Sequence, residues 1–109
     1  MFTTQDYKVN VTIDFDFQTI TEDQALHLVG SLPSNWLPAL GSGDPDGTVF
    51  LLNIPEADWH AAAVAALNAV RPRLSGSGPI SAEITSIEAM SFEEYSRRAS
   101  LHSSLGSRR

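Results

Sequence analysis

The sequence predicts an α+β domain, an antiparallel sheet with helices packed on one face, and three observations carry that prediction. Residues 7–17, YKVNVTIDFDF, alternate apolar and polar. ITEDQALHLVGSLP carries an apolar stripe at helical spacing, and AAAVAALNAV is built of strong helix formers. Strand-like runs lie between and after them, so the order is β, α, β, β, α, β and a short final helix.

The opening run places Tyr7, Val9, Val11, Ile13, Phe15 and Phe17 on one face and Lys8, Asn10, Thr12, Asp14 and Asp16 on the other. In the first helix Thr21 and Gln24 have capping-box spacing, and Glu22 and Asp23 suit the positive end of the dipole. Ala25, Leu28, Val29 and Leu32 form its stripe, and Pro33 closes it. A hairpin follows. Its first arm, about 35–40, holds Pro38 and so reads as an edge strand; GSGDPDG (41–47) is the loop. The second arm, 48–54, is apolar on both faces, as an interior strand is. Pro55 is read as the start of the second helix, with Trp59, Ala63, Ala66, Leu67 and Val70 toward the sheet. Pro72 ends it near Arg71, and SGSGP (75–79) links to a last strand with Ile80, Ala82 and Ile84 inward. A second capping box, Ser91 to Glu94, opens the final helix, with Arg97 and Arg98 in its last turns.

This order is that of a ferredoxin-like βαββαβ domain: a four-stranded antiparallel sheet, two helices on one face, and here a short C-terminal helix. Both crossovers are expected to be right-handed. Residues 1–101 form the expected single domain, and 102–109, HSSLGSRR, a frayed tail.

The totals narrow the function. A chain of 109 residues with 42% hydrophobic content suits one globular domain. No apolar run reaches the roughly 20 residues that span a bilayer, and MFTTQDYK lacks the lead and core of a signal peptide, so a cytoplasmic protein without a membrane partner is expected. The absence of cysteine excludes disulfides, thiolate zinc sites and a cysteine nucleophile. Net charge is −6, unevenly placed: residues 1–90 set three bases against eleven acids, a net of −8, and residues 91–109 set four arginines against two glutamates, a net of +2. An acidic body repels phosphate backbones, so no nucleic acid is expected to bind this chain by itself.

Two stretches carry a resemblance. YKVNVTIDFDFQTITEDQA and EITSIEAMSFEEYSRR resemble the first and last parts of a small actinobacterial and phage domain that often precedes an excisionase-like helix-turn-helix. The closing match comprises Glu88, Met90, Glu93, Glu94, Tyr95, Arg97 and Arg98. No helix-turn-helix pattern follows Leu101, and the resemblance implies an accessory module without assigning a catalytic or binding residue.

No motif for chemistry emerges. Asp14 and Asp16, with Glu83 from a neighbouring strand, read either as an acid–base or metal group or as the solvated face of a sheet. No histidine accompanies them, which favours the solvated face. DPDG begins like a calcium loop but runs into Thr48, Val49, Phe50, Leu51 and Leu52 without the required twelfth-position glutamate. His27, His60 and His102 are scattered, and no serine stands in a nucleophile elbow. An RNA-stacking sheet needs exposed aromatics, whereas Asn10, Thr12, Asp14 and Asp16 point outward. One candidate surface remains: Thr12, Val49, Leu51, Asn53 and Ile87, a few apolar positions on the sheet's open side. The expectation is a non-enzymatic binding or assembly module without catalytic residues, cofactor or metal, whose partner is another protein or a second copy. The alternative is a small acidic phage or mobile-element inhibitor of a host protein.

Overall fold

The alternating run at the start of the chain forms β1, Gln5–Ile13, whose every second side chain from Tyr7 to Ile13 is buried. The computed structural model describes residues 4–43, 47–74 and 80–106, with side chains as far as Ala99. The strand ends earlier than the alternation does. At Asp14 the chain turns: Asp16 caps a 3-10 turn, Phe17–Thr19, by accepting from the Gln18 amide. Phe15 and Phe17 are therefore half-buried turn residues rather than strand residues.

Helix α1, Glu22–Gly30, opens on the reciprocal Thr21–Gln24 capping box and seats Leu28 in the core, with Leu32 buried just after it. A 3-10 turn, Ser34–Trp36, and a left-handed Leu37 precede β2, Ala39–Ser42, so the edge strand starts after Pro38 rather than at 35. β3, Thr48–Glu56, pairs antiparallel with β2 and β1. Of the intervening loop, 44–46 lie outside the described residues, as do 75–79. Gly47 admits no side chain, because a Cβ there would stand 2.8 Å from the Ile13 carbonyl oxygen.

Pro55 does not begin a helix; it lies within β3. The hairpin bond from Gly43 N–H to the Gly47 carbonyl, 2.7 Å, fixes the parity of the ladder. Odd-numbered residues of β3 then face β2, and β2 pairs only Thr48–Leu51. The missing N–H of Pro55 thus falls on a flank with no ladder to break.

Helix α2, Trp59–Val70, is capped by Asp58, which accepts from the Ala61 amide at 2.8 Å. It buries Ala62, Ala66 and Val70, while Trp59 is 59% exposed, so the helix is rotated from the expected stripe. β4, Ile84–Ser91, pairs antiparallel with β1 and completes a sheet of order β2-β3-β1-β4. β3 lies between β1 and β2, and β1 between β3 and β4, so each helix crossover spans one intervening antiparallel strand.

The core lies between one sheet face and the two helices. Tyr7, Val9, Val11, Ile13, Phe50, Leu52 and Ile54 meet Leu28, Ala62, Ala66 and Val70 there. Arg73 ties the helices together: its guanidinium donates to the Ser31 hydroxyl at 2.6 Å and to the carbonyls of Ser31 and Ala69. The final helix, α3, runs Phe92–Gly106 and so includes residues expected as tail. Arg97 and Arg98 sit toward its middle instead of in its last turns. Among the described residues the architecture is α+β, a four-stranded antiparallel sheet with three helices.

Candidate functional site

Near the end of β1 the acids are tied into the fold at the main chain. Asp14 donates its N–H to the Glu83 carbonyl at 2.8 Å, and Asp16 is a turn cap. The three acids are exposed, and among the described residues no three histidine, aspartate or glutamate side chains come together around a metal-sized space. His60 is exposed and meets Trp59 edge-on, centroids 6.0 Å apart.

The sheet's second face is where the sequence placed a contact surface. Val49 stands opposite Thr12, Leu51 opposite Asn10, and Asn53 opposite Lys8. Gly41 and Ala39 of β2 extend the Val49 and Leu51 rows. Leu51 is 40% exposed, high for a leucine on a central strand. Asn53 lies in the same row as Lys8, and its Oδ1 is buried without a hydrogen-bond partner. Four of the five expected residues, Thr12, Val49, Leu51 and Asn53, therefore share this face.

Ile87 does not. It pairs with Val11 and packs against the core on the helix side. The cause is a register shift between Thr12 and Ile13: Ile13 pairs with Ile84 but Thr12 with Ser86, leaving Thr85 as an extra residue. Such a bulge inverts the side-chain parity beyond it.

At one end of this face α3 begins. The Ser91 hydroxyl accepts from the Glu94 amide at 3.0 Å, half of the expected capping box. The Glu94 carboxylate turns forward to Arg97, at 2.6 Å, and Arg98, at 3.0 Å. These hydrogen bonds, that to Arg97 foremost, lower the Glu94 pKa to about 2, and the same contact raises that of Arg97. Lys8 lies over the Tyr95 ring.

A feature the sequence reading missed lies on the other side of the sheet's β2 edge. A groove of 540 Å³ runs between α1, the 3-10 turn before it and β2, walled by Phe17, Ile20, Ala25, Leu26, Val29, Ala39 and Leu40. Leu26 was its sequence signal: an apolar residue in α1 outside the buried stripe, 61% exposed.

Compared with known proteins, the chain matches no protein-family model, no curated protein and no solved structure. Among the described residues no helix is long and apolar enough to cross a membrane.

Proposed function

We propose that the chain is a non-enzymatic binding or assembly module of the ferredoxin-like class, and that its open sheet face makes the contact. The class is supported by the element order and by two crossovers that each span one antiparallel strand. The observation that carries the function is Leu51, exposed in the middle of a four-stranded sheet beside Val49. The resemblance to an actinobacterial accessory domain, which Glu93, Glu94, Tyr95, Arg97 and Arg98 share in carrying, agrees with such a role.

Self-association is the simplest form of that contact. Leu51→Lys places a charge in the apolar patch without touching the core, so it converts a dimer to a folded monomer. Sedimentation equilibrium of both proteins tests this. A wild-type monomer at high concentration would remove the homomeric reading and leave a foreign partner.

Charge favours a second reading, an acidic inhibitor that covers a basic site of another protein. The body has eleven acids, while Arg73, Arg97 and Arg98 spend their donors inside the chain.

A further inference from the structure

We propose that the groove between α1 and the free edge of β2 receives an extended, alternating apolar segment of a partner protein as a fifth strand, with a basic residue flanking it. This rests on the reading of the chain as a binding module, but the groove lies at the β2 edge and shares only Ala39 with the Leu51 face.

Three observations identify the occupant. The first is backbone parity. Because Gly43 and Gly47 form a bonded pair, Gly41 and Ala39 spend their backbone groups on β3. The N–H and C=O of Leu40 and Ser42 then point away from the sheet, an open template for another strand. The second is the apolar hollow beside that template. An added strand lies about 4.8 Å from β2, and its side chains alternate, so every second one falls over the wall formed by Phe17, Ile20, Leu26 and Val29. The third is charge. Among the described residues the only charged one lining the groove is Glu22, with Asp16 and Asp23 exposed nearby in sequence. A lysine or arginine beside the apolar segment complements them.

The sequence of β2 also argues against a second copy as the occupant: Ala-Leu-Gly-Ser has one large apolar side chain and no basic flank, so a second β2 paired edge to edge would not fill the hollow or complement Glu22. The other edge, β4, has more charged surroundings: the depression near its start carries Arg71 and Glu83, and the one near its end, beside Trp59 and Met90, carries Glu94 and Arg98.

The test uses the whole chain and a fluorescein-labelled peptide, Lys-Val-Ser-Val-Ser-Val-Lys, in an anisotropy titration. A matched peptide carries N-methyl groups on alternate amides, which removes strand hydrogen bonds and keeps the side chains. Leu26→Asp charges the groove from an exposed position, and circular dichroism confirms its fold. We expect a Kd below about 1 mM, and a loss of at least about tenfold both on N-methylation and in Leu26→Asp. Amide resonances of Leu40 and Ser42 shift on binding. Absence of binding up to about 1 mM overturns the proposal. So does equal binding of the methylated peptide, which would mark a groove for apolar groups rather than a strand, or unchanged binding by Leu26→Asp. The sedimentation result for Leu51→Lys stands apart from all of these, so failure here and failure of the assembly reading are distinguishable.

Discussion

The Lys8 ammonium lies 4.9 Å from the centroid of the Tyr95 ring, which joins the open face of the sheet to the first turn of α3. Past Glu94 the helix is exposed on every side as far as Ala99. Its attachment therefore depends on few contacts, and an isolated helix of this length is marginal in water. A cation–π contact at an exposed site contributes about 0.5–1 kcal/mol. A double-mutant cycle between Lys8→Met and Tyr95→Leu should show coupling of that size in chemical denaturation. Additive losses would mean that the ring and the ammonium do not stabilise one another.

The Glu94 cluster gives α3 a pH dependence. The carboxyl pKa is about 2 in the folded chain against an ordinary 4.5, so the folded state favours the charged form. The associated stabilisation is complete above about pH 4.5, declines between there and about pH 2, and is gone below. Far-UV circular dichroism should show helix loss within that window, and Glu94→Gln should remove this component. An identical acid profile for the variant would assign the transition to other carboxylates.

In the core, Phe50→Ala should cost about 3–5 kcal/mol, because Phe50 is fully buried at the centre of the sheet. Phe15→Ala should cost less, since Phe15 is a half-buried turn residue. Asp14→Asn should stay within about 0.5 kcal/mol, as its side chain is exposed and the residue bonds Glu83 through its backbone N–H. Urea denaturation of the three variants ranks them. A Phe15 loss equal to that of Phe50 would place the turn in the folding core.

Those two phenylalanines mark what the sequence could and could not reveal. Period-two alternation made β1 legible from Tyr7 to Ile13, but alternation continues through Phe15 and Phe17 because nothing in it records where the ladder stops. The capping box of α1 was legible because it is written in side chains. Pro55 was not: a missing N–H is equally tolerable at a helix start and on a strand flank without a neighbour. The rotation of α2 escaped because alanine occupies most of its faces, leaving little hydrophobic contrast to orient it. The bulge opposite Thr12 is a backbone event without a compositional mark, and it carried Ile87 from the open face to the core side. The groove beside β2 joins residues from three elements, and no local pattern announces such a meeting.

The last prediction is that this chain does not bind DNA or RNA appreciably by itself. Affinity for phosphate backbones comes from Lys and Arg side chains free to neutralise them. Of the three bases in the acidic body, Arg73 is held by Ser31 and Ala69, and Lys8 lies over Tyr95. In α3, Arg97 and Arg98 both bond to Glu94, so the pair presents less positive charge than its spacing suggests. Freeing them is a direct control: Glu94→Gln removes the competing carboxylate and should raise whatever weak binding exists. Fluorescence anisotropy with labelled duplex and single strands at low salt makes the comparison. Micromolar binding by the wild type, weakening steeply with added salt, would overturn this prediction and place a nucleic-acid contact on α3.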